Sequence, residues 1–234
     1  MPTTLAIVAA LEREVYSFIR TATRVRHTHA GRRFTFFERD DTVLVCAGIG
    51  LDAARRAAEA VIAIYQPKAL QSIGFAGALT PTLHVGDIFT PATIIDARDG
   101  SRTQIANGQG TLLTFMSVAG AQQKATLAQA YSAQAVDMEA AAVATAARAH
   151  GIPFAATKVI SDGLDFDMPE TARFIDSNGQ FQTASFAAFA ALRPWLWPRV
   201  ATLARNSSKA ATALARHLKN SHSAPQDVPE AKTT

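Results

Sequence analysis

The sequence alternates between short apolar runs and longer segments with helical spacing. Residues 5–10 and 42–47 are apolar runs that predict buried strands, the second of them rich in β-branched residues. Residues 51–65 follow Gly48-Ile49-Gly50 and carry apolar side chains at spacings of three and four, which predicts a helix after a glycine turn. Strands that alternate with helices in this way indicate an α/β fold, a three-layer α/β/α sandwich around a central mixed sheet.

Further elements continue this alternation along the chain. Strands are predicted at 33–39, 69–73, 88–95, 135–137 and 154–161, and helices at 121–131 and 139–150. Open α/β sheets bind ligands beyond the carboxyl ends of their strands. Functional side chains are therefore expected just after these strands end.

The last quarter of the sequence is organised differently. Residues 181–220 predict two helices separated by Pro194 and Pro198. The second helix is basic and amphipathic, with one face formed by Val200, Leu203, Ser207, Ala211, Leu214 and Leu218. We predict one α/β domain at 1–192, a C-terminal helix at 193–220 packed on or appended to it, and a disordered tail at 221–234.

Charge and cysteine content narrow the function classes. Of the net charge of +4, residues 1–176 contribute sixteen basic and seventeen acidic side chains, whereas residues 177–226 contribute six basic and none acidic. The single cysteine, Cys46, favours a reducing cytoplasm. No signal peptide is indicated, and no apolar run approaches the roughly 20 residues that span a bilayer. No pattern typical of a metal site or of a nucleic-acid-binding motif is present.

Three clusters at predicted strand ends carry carboxylates: Glu12-Arg13-Glu14, Val136-Asp137-Met138-Glu139 and Ser161-Asp162-Gly163. Taken singly, each has an ordinary explanation. Acids at helix starts complement the helix dipole, and an aspartate before a glycine serves as a cap or turn residue.

Together with two glycine-containing segments, these clusters form five motifs in a specific order. The motifs are AALEREV at 9–15, AGIG at 47–50, GFAGALTPTLHVGDI at 74–88, AVDMEAAAVA at 135–144 and KVISDGLD at 158–165. Over residues 4–190 the sequence thereby resembles the family of nucleoside phosphorylases and nucleosidases that includes methylthioadenosine/adenosylhomocysteine nucleosidase.

The resemblance implies cleavage of the N-glycosidic bond of a purine nucleoside through an oxocarbenium-like transition state. By motif match, Asp162 would protonate or hydrogen-bond purine N7, with Ser161 as its positioning partner. Glu139 would accept hydrogen bonds from the ribose hydroxyls, and Met138 would pack against the sugar. Glu14 would hold or deprotonate the attacking water in the nucleosidase branch.

Departures from the family pattern leave the acceptor open between water and inorganic phosphate. Phe75, which precedes Gly77 by two positions, stands where the family usually has a serine or threonine that helps to bind phosphate or the sugar. The N-terminal phosphate motif of the phosphorylase branch is also absent. Basic side chains that would hold phosphate are Arg13, Arg32, Arg33 and Lys158. No other cofactor is expected.

The resemblance implies two further features of the site. The base would be contacted by the backbone near Ser117, Val118 and Ala119. The family commonly completes the sugar pocket with residues of a neighbouring subunit, so a homodimer or larger homo-oligomer is expected.

The C-terminal part resembles one branch of the family. Residues 162–181 and 193–210 resemble the hopanoid-associated phosphorylases, which are linked to removal of adenine from adenosylhopane. This resemblance implies a large triterpenoid on the ribose 5′ carbon and a role in hopanoid biosynthesis. Two alternatives stay open: a methylthioadenosine/adenosylhomocysteine nucleosidase, and a non-catalytic nucleoside-binding protein.

Trp195 and Trp197 beside a basic helix allow two interpretations. Tryptophan and basic side chains suit peripheral contact of residues 193–220 with an anionic inner membrane. Alternatively, the helix packs on its own domain and the tryptophans fill a core edge or a dimer contact.

Overall fold

The structure is a computed structural model that describes residues 3–167, 171–176 and 179–223. Within them the chain forms eleven strands, which are β1 Leu5–Ala9, β2 Thr23–His29, β3 Arg32–Arg39, β4 Thr42–Cys46, β5 Ala69–Ala78, β6 Ile88–Phe89, β7 Thr93–Asp96, β8 Arg102–Gln104, β9 Thr111–Thr114, β10 Ala135–Asp137 and β11 Phe154–Asp162. The α-helices are α1 Tyr16–Ile19, α2 Leu51–Tyr65, α3 Ala121–Tyr131, α4 Ala140–Ala149, α5 Thr183–Ala191 and α6 Trp197–Ser223. Short 3-10 turns at Thr171–Phe174 and Pro194–Leu196 precede α5 and α6.

All eleven strands belong to one mixed sheet with β5 at its centre. The main strand order is β2-β3-β4-β1-β5-β10-β9-β7-β8, and β11 pairs with β5 and β6. Strand β5 runs parallel to β1 and β11 and antiparallel to β10. The carboxyl end of β5 therefore lies between those of its two parallel neighbours, where the predicted site belongs.

Helices cover both faces of the sheet, because alternate side chains of each strand point in opposite directions. In β1, Ala6 and Val8 pack into a core with α2 and α4, whereas Ile7 and Ala9 pack into a second core with α1 and α6. The predicted three-layer α/β/α sandwich is confirmed.

The predicted strand at 88–95 is wrong. Two strands, β6 and β7, occupy this stretch, and they are separated at Pro91, which has no backbone N–H to donate to a sheet ladder. Strands β2, β8 and β9 were not predicted. In β2 no residue is fully buried, so its sequence TRVRHTH lacks the alternation that marks a half-buried strand.

Helix α6 uses two faces instead of the single one that its sequence predicts. Ala210, Leu214 and Leu218 are buried against the sheet and α1, while Val200, Leu203, Ser207 and Ala211 line a cavity. The helix runs to Ser223, beyond the predicted end at Asn220, because the first helix-breaking residue after it is Pro225. The rest of the predicted disordered tail, 224–234, lies outside the described residues. No helix in the described part of the chain has the length and apolar character needed to cross a membrane.

Candidate active site

A cavity of about 980 Å³ opens at the carboxyl ends of β1, β5, β10 and β11. Ten of the predicted site residues line it: Arg13, Glu14, Phe75, Gly77, Val118, Ala119, Met138, Glu139, Ser161 and Asp162. These residues come from four of the five motifs and from the segment before α3. Strands β1, β5 and β11 run parallel and end at one edge of the sheet, and β10 reaches the same place from the opposite direction. The position therefore agrees with the expectation for an open α/β sheet.

Asp162 lies at a break in the pairing of β11. The register shifts between Ile160 and Asp162, so that Ser161 is an extra residue relative to β5. Bulges of this kind re-aim side chains and are common beside active sites. The Ser161 hydroxyl donates a 2.6 Å hydrogen bond to Asp162 Oδ1; that Ser161 positions Asp162 for catalysis stays a prediction.

The second oxygen of Asp162 forms a salt bridge with Lys124 of α3. Lys124 Nζ also donates to the Gly163 carbonyl at 2.7 Å, and the lysine is only 1% exposed. Sequence reasoning missed this residue. The sequence holds one indication of its role. Lys124 lies three positions before the buried Leu127 on the same face of α3, and a buried lysine needs an acceptor for its charge.

Glu139 lies just before α4 with both carboxylate oxygens held by backbone groups. The N–H of Gly50 donates to Oε1 at 2.8 Å, and the N–H of Met138 donates to Oε2 at 3.3 Å. Burial, followed by the charge of Asp137, raises the pKa of Glu139 to about 8, although Lys158 acts in the opposite direction. This carboxyl group therefore changes its charge near neutral pH.

Asp137, not Glu139, caps α4. Its Oδ2 accepts a 2.8 Å bond from the Ala140 N–H, and its Oδ1 accepts a 2.6 Å bond from the Thr114 hydroxyl. Lys158 Nζ lies 2.8 Å from the same carboxylate. Because Asp137 takes over the capping, Glu139 is left to face the cavity.

Lys158 is buried in the sheet beneath these acids. It is 1% exposed, donates to Ser72 Oγ at 3.1 Å and does not line the cavity. Burial alone would lower the pKa of this lysine, but the charges of Asp137 and Glu139 outweigh that effect and raise it. A buried cation thus offsets part of the negative charge of the acid cluster.

Glu14 is buried in the turn between β1 and α1. The Leu11 N–H donates to Glu14 Oε2 at 3.3 Å, and a Cβ at Gly74, where φ is +143°, would lie 2.7 Å from that oxygen. Burial raises the pKa of Glu14, opposed by Lys158. Its neighbour Glu12 instead forms an exposed salt bridge with Arg24, so the two glutamates of the motif have different environments.

The arginines named as phosphate ligands do not meet the acid cluster as a group. Arg13, Arg32 and Arg33 line a second cavity of about 640 Å³, together with Arg56. Arg13 also lines the first cavity, and its guanidinium lies 5.7 Å from the centre of the Phe181 ring. The predicted phosphate ligands are therefore divided between a side cavity and the buried Lys158.

The predicted family can now be compared with known sequences. A sequence profile described as the phosphorylase superfamily matches residues 4–119 and 110–193. The chain belongs to this superfamily. The recognition drawn from the five motifs is confirmed, and so is the expectation of an enzyme that cleaves an N-glycosidic bond.

Several solved structures have a similar fold over most of this chain. The Arabidopsis thaliana 5′-methylthioadenosine nucleosidase has a TM-score of 0.70 at 18% identity, over 94% of this chain and 95% of its own. The Helicobacter pylori 5′-methylthioadenosine/S-adenosylhomocysteine nucleosidase has a TM-score of 0.67 at 16% identity, over 93% and 97%.

The futalosine hydrolase of H. pylori has a TM-score of 0.65 at 16% identity, over 93% of this chain and 98% of its own. Among curated protein sequences no match is found. At these identities the structural neighbours establish the fold, and the choice of substrate has to be argued from the site itself.

Proposed function

We propose that this protein hydrolyses the N-glycosidic bond of an adenosine that carries a large apolar group on its 5′ carbon, and releases adenine. Adenosylhopane, the substrate that the C-terminal resemblance implies, has this chemistry. The observation that carries the proposal is a single cavity in which a carboxylate-rich end continues into an apolar end.

The two ends of the cavity differ in chemistry. The sheet end holds Glu14, Glu139 and Asp162. The other end is lined by apolar side chains of the segment that precedes α5, of α5 and of α6, among them Phe166, Ile175, Phe181, Phe186, Val200 and Leu203. A volume of about 980 Å³ lies at the upper end of the range of about 300–1,000 Å³ for ligand pockets. Such a volume favours a substrate larger than adenosine.

The acids have complementary roles in this reaction. Asp162 would donate a proton or a hydrogen bond to purine N7, so that the base leaves as a neutral molecule. Glu139 would accept hydrogen bonds from the ribose hydroxyls, and its ionised form would stabilise the positive charge that develops at the anomeric carbon. Val118 and Ala119, which precede α3, would border the base.

Three features support water as the acceptor. Glu14 is a buried carboxyl whose pKa is raised by burial, and a more basic carboxylate is a better general base. Phe75 offers no hydroxyl to a phosphate. Lys158 is already engaged by Asp137 and Ser72, so it is not available as an anion ligand.

The decisive experiment is an assay of adenine release from adenosylhopane and from methylthioadenosine, each with and without inorganic phosphate. We expect a kcat/KM for adenosylhopane at least tenfold above that for methylthioadenosine. The sugar product should carry a hydroxyl at C1 and no phosphate, and the rate should not depend on added phosphate. A preference for methylthioadenosine would support the alternative of a small soluble substrate. A ribose 1-phosphate product would contradict hydrolysis.

The non-catalytic alternative is tested with the same preparation. Replacing Asp162→Asn removes the group beside N7, and we expect adenine release to fall about 100-fold or more while nucleoside binding persists. If the wild-type protein binds adenosines and releases no adenine, the protein is a binding protein and the enzymatic proposal is wrong.

A lipid-linked substrate also bears on where the protein works. Leu192, Trp195 and Trp197 are exposed in the stretch that runs from the end of α5 to the first residue of α6, and α6 lines the apolar end of the cavity. Residues 177–226 contain six basic side chains and no acidic one, a composition that complements anionic headgroups. Contact of this surface with a bilayer is part of the proposed function.

A further inference from the structure

The strongest unassigned feature of the site is the salt bridge between Lys124 and Asp162. A lysine ammonium has three N–H donors. One meets Asp162 and another meets the Gly163 carbonyl at 2.7 Å. The side chain lines the cavity at its sheet end although it is almost fully buried.

This pair changes how a proton can reach the leaving base. Within a salt bridge the proton resides on the lysine, so the aspartate has none of its own to donate. The Ser161 hydroxyl donates to the other Asp162 oxygen, which adds a second donor to the same carboxylate. An acid at this position therefore needs a second group that stores the proton.

We propose that Lys124 supplies the proton that the purine takes up at N7, passed through Asp162 as the base departs. The inference rests on the proposed nucleoside hydrolysis and assigns the proton source within it. Lys124 thus acts as a positioning residue for Asp162 that also stores the proton.

The bond between C1′ and N9 breaks, and its electron pair passes to the purine. N7 receives a proton from Asp162, which is replenished from the Lys124 ammonium, so adenine leaves neutral and the lysine becomes a neutral amine. Water bonds to C1′ and gives its proton to Glu14. Proton exchange with solvent then restores both Lys124 and Glu14.

The other charges around the pair do not duplicate this role. Titratable groups that line the same cavity are Arg13, Glu14, Tyr16, Asp137, Glu139 and Asp167. Asp167 is near the start of α3, since a Cβ at Gly120 would lie 2.8 Å from its Oδ1. Lys124 is the cation in contact with Asp162 among the described residues.

The first test replaces Lys124→Met and follows adenine release. We expect kcat/KM to fall by about 10²–10⁴, the usual worth of general acid catalysis. An unchanged kcat/KM would overturn the inference.

The second test uses a substrate whose leaving group needs no proton. The leaving group of a 4-nitrophenyl riboside is the stable 4-nitrophenolate anion. We expect Lys124→Met to cleave this riboside within about threefold of the wild-type rate. Equal losses on the riboside and on the adenosine would overturn the inference. Lys68→Met, at an exposed lysine of the loop before β5, is the matched control.

A third variant separates charge from proton donation. Lys124→Arg keeps a cation for Asp162, but a guanidinium does not give up its proton in this pH range. We expect it to lose adenine release like Lys124→Met and to keep riboside cleavage. Wild-type adenine release by Lys124→Arg would contradict the lysine as proton source, whereas absence of activity in the wild type on every nucleoside and riboside would contradict the proposed function itself.

Discussion

At the scale of single residues, Gly77 leaves room for the contact between Asp162 and Lys124. A Cβ on Gly77 would lie 2.8 Å from Asp162 Oδ2 and 3.2 Å from Lys124 Cε. Both distances are shorter than ordinary van der Waals contacts, so an added methyl group has to displace the pair.

Gly77→Ala should therefore lower the rate of adenine release more than it lowers the stability of the folded protein. We expect kcat/KM for adenine release to fall about 100-fold, the lower end of the effect of losing a general acid, because Asp162 is moved from its position. The melting temperature should change by only a few degrees, since side chains can shift to relieve the contact. Measurement of kcat/KM and thermal unfolding checks both parts, and an unchanged kcat/KM would refute the expectation.

Glu139 gives a pH-dependent prediction with a definite sign. Its pKa rises from an ordinary 4.5 to about 8 in the folded protein, chiefly through burial. Between these pH values the folded state holds a proton that the unfolded state has lost, so this group makes the protein less stable as pH rises. Glutamine at this position cannot titrate.

We therefore expect Glu139→Gln to gain stability relative to the wild type as pH increases. Each unit of pKa difference corresponds to about 1.4 kcal/mol, and the relative gain in free energy of unfolding between pH 5 and pH 8 should be at least that large. Urea unfolding at the two pH values measures it, with Glu12→Gln as an exposed control. Parallel pH dependences for Glu139→Gln and the wild type would contradict the raised pKa.

The site illustrates which residues a sequence can predict. Asp162, Glu139 and Glu14 stand in motifs at or after strand ends. Asp162 and Glu14 are brought together because β11 and β1 run parallel to β5 and end at one edge, whereas Glu139 reaches this edge at the end of the antiparallel β10. Lys124 belongs to no motif, because its role depends on the salt bridge that the fold forms between α3 and Asp162 at the end of β11. Asp137 caps α4 through the Ala140 N–H, and the sequence does not show the hydrogen bond from Thr114, on a neighbouring strand, to its other oxygen.

At the scale of secondary structure, the buried elements were predictable and the edge elements were not. Strands β1 and β4 and helix α2 bury most of their residues, so their apolar patterns fix both type and position. Strand β2 lies at the sheet edge with mostly exposed side chains. Only its pairing with the neighbouring strand makes it a strand, and this pairing leaves no apolar pattern in the sequence. The two faces of α6 could not be separated in the sequence, because a cavity and a core both favour small or apolar residues.

Helix α6 is the element that determines substrate size in the proposed function. Ala211 faces the cavity from this helix, beside Ser207. Ala211→Phe should narrow the apolar end and raise KM for adenosylhopane at least tenfold, equivalent to about 1.4 kcal/mol of binding. Methylthioadenosine lacks the long apolar group, so its turnover by Ala211→Phe should stay within about twofold of the wild-type rate.

The matched control is Ala201→Phe, which adds the same ring to an exposed position of the same helix. Steady-state kinetics on both substrates measures the effect. If Ala211→Phe impairs the two substrates equally, α6 does not border the 5′ group, and the assignment of the apolar end to that group is wrong.

At the scale of the whole molecule, charge and exposed apolar area lie in the same region. The first 176 residues are nearly neutral, and the basic excess belongs to the last quarter. Leu192 is 78% exposed, Trp195 71% and Trp197 57%. Trp197 is fixed by a hydrogen bond from its Nε1 to the Ala190 carbonyl at 3.0 Å. Exposed apolar side chains and the basic excess thus belong to the same part of the sequence.

Binding to vesicles tests this arrangement directly. We expect the protein to sediment with anionic vesicles and much less with zwitterionic ones, and added salt should weaken the binding because it screens the basic residues. Leu192→Ser combined with Trp195→Ser should reduce binding at least tenfold without changing the melting temperature, since both side chains are exposed. Met116→Ser, another exposed apolar position, is the control. If the double variant instead binds vesicles normally and loses self-association, this surface joins two copies of the chain and not the protein to a bilayer.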